Sequence, residues 1–264
     1  MSIRKEAVSG QFYPDTKEEI VRYIEHFNNI LKQNNIKIDN TIKPKALIVP
    51  HAGYVYSGFT ANLAYRYIPK NVKNIIVIGP SHKFGFEGAS VSMYDGYSTP
   101  LGSFDINKTI CSSLMEKFEF LIFDHKVHCE HSTETQFPFI KYYKPDVKVV
   151  EIVYSSIDYK NISRVIQEIL KDEDNFVVIS TDLSHFFDQN RANQLDSVCL
   201  SSIDALDLDI EKKGCQACGM IGVKAIIDTA KSKSMESMLL DYRTSADTTG
   251  DEKSVVGYVS AIIY

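Results

Sequence analysis

The sequence predicts a single α/β domain over residues 1–264, built on a mixed, largely parallel sheet flanked by helices, and three observations predict it. Apolar runs without alternation recur at 46–50, 75–78, 147–153 and 176–180, the pattern of strands covered on both faces. Stretches with helical spacing separate several of these runs, as a parallel sheet with crossover helices requires. No internal repeat, low-complexity tract or Pro/Gly-rich linker interrupts the chain, which argues for one domain rather than two.

Taken in order, the first regular element is a helix in "PDTKEEIVRYIEHFNNILKQ". Thr16 and Glu19 have capping-box spacing, and Ile20, Ile24, Phe27 and Leu31 form one apolar face. His26 lies near the edge of that face and reads as a surface or half-buried residue. Strands are predicted at 46–50, 75–78, 88–92, 119–123, 147–153, 176–180, 237–242 and 255–263. "SGFTANLAYRYI" and "NISRVIQEIL" read as helices, the latter with Ile162, Val165, Ile166, Ile169 and Leu170 inward. "YSTPLGSFDI" reads as a short antiparallel excursion turning at Pro100 and Gly102. A further helix is expected from Thr133 to Tyr143, capped by Ser132 or Thr133.

Bulk properties exclude several function classes. A formal charge of −5 lacks the basic footprint that nucleic acid or an anionic membrane surface demands. No apolar run reaches transmembrane length. The N-terminal "MSIRKEAVSGQFYP" has no apolar stretch behind its basic residues, so it is not a secretory signal and the expected compartment is the cytoplasm. The five cysteines are odd in number and irregularly spaced, unlike a disulfide framework. Cys111 and Cys199 read as small buried apolar residues.

The chemistry concentrates where apolar strands end. "ALIVPHAGY", "IVIGPSHKF" and "VVISTDLSHFF" each run from an apolar stretch through a sharp break into a polar cluster, presenting His51, His82, and Asp182 with His185. Ligands of open α/β sheets bind beyond the carboxyl ends of the strands. Gly53 and Gly79 would let backbone approach a ligand there. Imidazole is the commonest metal ligand, so His51 and His82 are candidates, with Asp182, Glu130 or a cysteine thiolate completing the set. "CEHSTETQFPF" adds Glu130 and His131 before the helix, while His125 and His128 read as solvent-facing. In "GCQACGM", Cys215 and Cys218 have C-x-x-C spacing ahead of a helix, where a thiol pKa is lowered. A zinc knuckle lacks its second half. A redox pair and a single metal ligand remain as alternatives.

Together "IVPHAGYVYSG", "IVIGPSHKF", "EHSTETQFPF", "STDLSHF" and "CGMIGV", in this order, resemble the MEMO family (mediator of ErbB-driven cell motility), including the B component of the AmmeMemoRadiSam system. The resemblance runs from "SGQFYP" to "GYVSAIIY". It implies the class III extradiol dioxygenase (LigB-like) fold, with a pocket at the strand ends. It also implies one transition metal ion held by His51, His82 and Cys218, with Asp182 and His185 beside it where the dioxygenases keep an acid/base histidine. Glu130 and His131 would line the same cavity, and Cys215 would be a bystander or a redox partner. Cysteine in place of the dioxygenases' carboxylate softens the site, favouring iron, copper or zinc and setting it apart from catechol cleavage. Phe12 and Tyr13 of "QFYP" occupy the place of a Trp-Tyr pair at a peptide-binding surface in eukaryotic relatives.

Two functions follow as expectations. One is a redox enzyme using Fe(II), or copper, on a small molecule, with Asp182–His185 as proton shuttle, His131 nearby and Tyr54 or Tyr56 contacting substrate. The other is a non-catalytic metal- or peptide-binding module working with AMMECR-type and radical-SAM proteins. Metal-assisted hydrolysis on zinc is a weaker third.

Overall fold

The computed structural model describes residues 3–264. Its centre is four parallel strands in the order β1 (Ala46–Val49), β8 (Asn175–Ser180), β2 (Asn74–Pro80) and β7 (Lys148–Tyr154). These strands are buried along almost their whole length, which accounts for their unalternating apolar sequence. Antiparallel strands close both sides. Beyond β7 lies β3 (Ala89–Val91), itself paired in parallel with β6 (Leu121–Ile122). Beyond β1 lies β11 (Val255–Ile263), which pairs with β10 (Ser237–Thr244) and with the short β9 (His185–Phe187). The sheet is therefore mixed, with a parallel middle, as predicted. The hairpin β4 (Gly96–Tyr97) and β5 (Phe104–Asp105) is the antiparallel excursion expected around Pro100 and Gly102.

Helices cover the sheet. α1 (Lys17–Gln33) packs on α2 (Tyr54–Tyr65), and both meet α5 (Phe137–Tyr143). The side chain of Thr16 caps α1 by accepting the Glu19 N–H, and the buried face is the predicted Ile20, Ile24, Phe27 and Leu31. α3 (Lys108–Lys117) lies against β6 and β7. α6 (Tyr159–Ile169) packs against α9 (Met220–Ser232), and both touch β8. α7 (Gln189–Ala205) contacts β10 and β11, and α8 (Leu208–Glu211) joins it to α9.

Four expectations need correction. The helix predicted over 133–143 is broken into α4 (His131–Glu134) and α5, with Pro138 in the first turn of the second piece. Proline has no N–H to give the residue four back, so the helix restarts there instead of running through. Its first cap is Glu130, not Ser132 or Thr133. His128 is fully buried, not solvent-facing, because a 3-10 turn over His125–His128 folds it inward between Ser90 and Glu151. Finally, Cys199 is buried as expected but bonded to Cys215 in a disulfide across 16 residues. Its signal is invisible in sequence because only the tertiary fold brings the middle of α7 against the loop before α9.

The Glu151 cluster makes a stability prediction. Glu151, in mid-β7, is contacted by the hydroxyls of Tyr97 and Thr133 and lies 2.6 Å from His128 Nδ1. Burial raises its pKa from the usual 4.5 to about 8, with Arg4 opposing. Burial and Arg4 push His128 down to about 3. The neutral carboxyl then donates to His128 Nδ1, and Nε2–H donates to Ser90 Oγ at 2.8 Å. A carboxyl raised by folding stabilises fully below its unfolded pKa and loses that contribution as pH climbs through its folded one. The Glu151 contribution is therefore expected to fall by roughly 4–5 kcal/mol from the carboxyl range to above pH 8, partly offset below about pH 6.5 by His128, whose depressed pKa works in the opposite sense. Glu151→Gln should flatten the slope in pH-dependent denaturant titrations. An identical slope in the variant would refute the assignment.

Candidate metal centre

Register places the site. Ile48, Ile179 and Ile78 are paired across β1, β8 and β2. Three residues beyond each come His51, Asp182 and Ser81, with His82 next. Adjacent parallel strands thus deliver both histidines and the aspartate to one edge, the position where α/β sheets bind ligands. Cys218 arrives from the other direction, just before α9, whose cap is Gly219. A Cβ on Gly219 would lie 2.6 Å from both Ser180 O and Thr181 Cβ, so only glycine lets this loop press against the end of β8. The Gly219 N–H donates to Thr181 Oγ1 at 2.9 Å and the Cys218 N–H to Asp182 O at 3.2 Å.

The donor atoms of His51, His82 and Cys218 lie within 4.8 Å of one another. Cys218 Sγ is 3.2 Å from His51 Nε2. Zinc-type bonds of about 2.3 Å to sulfur and 2.0 Å to nitrogen give a tetrahedral S···N edge of about 3.5 Å. The residues therefore fit an ion of that size. His82, Glu130 and His131 also cluster within 4.8 Å, but there the carboxylate serves the two rings, as follows.

Each imidazole is held in one tautomer. Ser180 Oγ donates to Ser132 O and accepts from Gln136 Nε2 at 2.9 Å. Its single proton is thus committed, and His51 Nδ1, 2.9 Å away, must be the donor. Burial, with His82 and His131 adding to it, holds His51 well below its usual pKa. It is neutral, with Nε2 left as a lone pair. Glu130 Oε1 sits 3.1 Å from His82 Nδ1 and 2.9 Å from His131 Nδ1. Burial works against the Glu130 charge, but hydrogen bonds from the His131 and His82 rings and the His82 amide outweigh it and hold the carboxyl far below its usual range. Both rings therefore donate through Nδ1 and keep Nε2 free. His185 Nδ1 faces Leu183 O at 2.8 Å, a pure acceptor, with the same result. A carboxylate or carbonyl behind a metal-facing imidazole is the usual device for orienting the ring and raising its basicity.

Other expected residues are placed differently. Asp182 and His185 are neighbours without a hydrogen bond between them. Asp182 Oδ1 accepts the His51 N–H at 2.8 Å, and Oδ2 lies 3.9 Å from His51 Nε2. Tyr54 is buried, stacks on Phe139 at 4.4 Å and donates to Thr135 O, so it is core, whereas Tyr56 is exposed. Phe12 lies against the His131 ring at 4.6 Å. Tyr13 is buried and donates to Glu134. Gly79 makes room for α4 rather than a ligand, since a Cβ there would stand 2.7 Å from Ser132 Oγ. The thiol expected to be acidic is the reverse: burial, reinforced by Asp182, pushes Cys218 up to about 12, with the Asp182 and Gly219 amides opposing. A metal must therefore displace its proton. Ser180 and Gln136, which fix His51, carried no sequence signal, because a serine closing a strand and a glutamine inside a helical stretch are ordinary residues.

The Memo-like protein family profile matches residues 4–262. A MEMO1 family protein of Aquifex aeolicus is 33% identical over 273 residues, covering 99% of both chains. One from Thermoplasma acidophilum is 34% identical over 98% of each, and one from Methanobrevibacter smithii 35% identical over 98% of this chain and 99% of its own. At such coverage the likeness extends from the N-terminal strap (residues 4–13), tied to Glu134 by Arg4, Ala7, Val8 and Tyr13, through all three strand ends to Cys218 and β11. The chain belongs to the Memo-like protein family.

Proposed function

We propose that the protein holds a mononuclear transition metal ion through His51, His82 and Cys218, and that the site performs redox chemistry on a small organic molecule in the cytoplasm. The observation that carries this reading is the set of four imidazoles whose Nδ1 atoms are all committed to fixed acceptors, with His51 Nε2 beside Cys218 Sγ. Fe(II) suits two imidazoles and a thiolate, with copper or zinc as the other candidates. Such an ion, when bound, supplies Lewis acidity and, for iron or copper, an electron.

The chain's own residues supply the rest. His131, whose ring centroid lies 5.4 and 4.4 Å from those of His51 and His82 and whose Nε2 the Glu130 contact leaves free, is placed to hold or move a proton on a bound molecule. His185 offers its Nε2 from the β9 side, and Asp182 fixes the His51 backbone between them. Phe12 walls the His131 face and limits access of water. We propose AMMECR-type and radical-SAM proteins as partners.

The second reading is a non-catalytic metal- or peptide-binding module. It draws on a groove of about 350 Å³ lined by Phe12, Tyr13, Arg22 and Tyr56, which adjoins the strap covering the site. Elemental analysis of protein purified without oxygen or chelator, followed by oxygen-uptake measurements, tests both. About one iron or copper per chain with metal-dependent oxygen uptake is the expected result. Metal without uptake favours the binding module. No metal after reconstitution with Fe(II), Cu(I) and Zn(II) overturns the metal site.

A further inference from the structure

We propose that Cys199 and Cys215 are a redox-active pair, reducible by a dithiol, whose state sets how firmly Cys218 is held for metal. The coupling half of this proposal rests on the metal site proposed above. The observation is where the disulfide sits. It joins the middle of α7 to the irregular loop between α8 and α9, with Cα atoms 4.7 Å apart, and Cys215 precedes Cys218 by three residues.

α7 is the backing for both loops of the site. Asp196 on α7 accepts the Ser184 N–H at 2.9 Å and the Tyr242 hydroxyl at 2.8 Å. That fixes the turn carrying Asp182 and His185. The disulfide fixes the Cys218 loop to the same helix. Cys215 is otherwise tied through its N–H to Glu211 O at 3.1 Å, and Cys218 through its N–H to Asp182 O at 3.2 Å. Cleaving the disulfide leaves Cys218 dependent on the second contact, on the Asp182 N–H to its sulfur and on the start of α9.

The two residues are unequally accessible. Cys199 is buried and Cys215 is half-buried, so an incoming thiolate reaches the Cys215 sulfur and Cys199 is the leaving group. The reductant's first sulfur bonds to Cys215 Sγ as the Cys199–Cys215 bond breaks, and Cys199 takes up a proton. The reductant's second thiolate then displaces Cys215, which is protonated in turn. Two electrons and two protons pass to the protein, and the dithiol leaves as its own disulfide. Protein disulfides in a cytoplasm held reducing by thiols are typically transient or redox-sensing, which suits a switch better than a staple.

The test compares oxidised wild type, wild type reduced with dithiothreitol and desalted without oxygen, and the C199S/C215S variant. Mass spectrometry after alkylation should show two more labelled cysteines in the reduced wild type than in the oxidised, while Cys129, exposed and free, labels in both. Fe(II) affinity from chelator competition should weaken about tenfold, the size expected for loss of a support behind a ligand, in the reduced wild type and in C199S/C215S alike. The variant should no longer respond to dithiothreitol, and limited proteolysis within residues 212–217 should quicken in both. Equal affinity in all three forms, or a dithiothreitol response that persists in C199S/C215S, overturns the coupling. Both cysteines alkylated without reduction overturns the pair itself. Failure of every form to bind Fe(II) overturns the metal reading and the coupling with it, while the alkylation counts still decide whether the pair cycles.

Discussion

Cys218→Ser is expected to weaken binding of Fe(II) or Zn(II) by more than about a hundredfold, because at the proposed site it removes a directly coordinating thiolate, whereas loss of a mere supporting contact costs 10–100-fold. The serine hydroxyl is not deprotonated near neutral pH and binds a soft-to-borderline ion poorly. Folding should survive. Cys218 Sγ accepts one amide, from Asp182 at 3.2 Å, and a hydroxyl can accept the same N–H. Chelator competition gives the affinity, and Co(II) substitution gives an independent readout, since thiolate-to-metal absorption should disappear in the variant. His51→Ala and His82→Ala should lose metal similarly. Unchanged binding in all three variants would remove the assignment.

Much of this site was legible in the sequence, and the reason is register. Parallel neighbours advance in step, so three strands each ending in a break and a histidine or aspartate must bring those residues to one edge whatever their separation in the chain. That logic reached His51, His82, Asp182 and His185 without any knowledge of strand order. It could not choose between the metal and redox readings of the C-x-x-C pair, and the resemblance to the Memo-like family decided only for Cys218. Cys215 is bonded not to its C-x-x-C neighbour Cys218 but to Cys199 on α7. Nothing in local pattern marks that pairing, because helix-to-loop proximity is set by how α7, α8 and α9 pack. The Asp182–His185 pair was expected with the carboxylate fixing the imidazole tautomer; the two are neighbours, but β9 pairs with β11 and the His185 Nδ1 faces Leu183 O instead. His128 was misjudged because a polar residue in a loop is usually exposed, and only Glu151 and Ser90, distant in sequence, make its burial tolerable.

Glu134→Ala is expected to cost about 3–5 kcal/mol, the penalty for leaving a buried charge without its partner, and to lower Tm by roughly 10 °C for a chain of this size. The residue is buried, and its two oxygens accept from Arg4 Nη1 at 2.6 Å, the Ala7 N–H at 2.9 Å, the Val8 N–H at 2.8 Å and the Tyr13 hydroxyl at 2.8 Å. One carboxylate thus ties the N-terminal strap to the end of α4. Arg4, which also lies over the Tyr97 ring at 4.5 Å, would be left as an uncompensated cation in the interior. Glu134→Gln should recover little, because its amide nitrogen would face an N–H or guanidinium where a carboxylate oxygen now accepts. Arg4→Met in the Glu134→Ala background should recover part of the loss by removing the stranded charge, and a double-mutant cycle measures the coupling. The effect should reach the site as well, since the strap carries Phe12, whose ring covers His131 and whose carbonyl accepts the Tyr54 N–H at 2.8 Å. Faster metal loss to chelator in Glu134→Ala, at a temperature where the variant remains folded, would show that the strap closes the metal site. A stability change below about 1 kcal/mol, within the range of exposed ion pairs, would mean that Arg4 and Glu134 are solvated rather than buried together, and the account of the strap would fall.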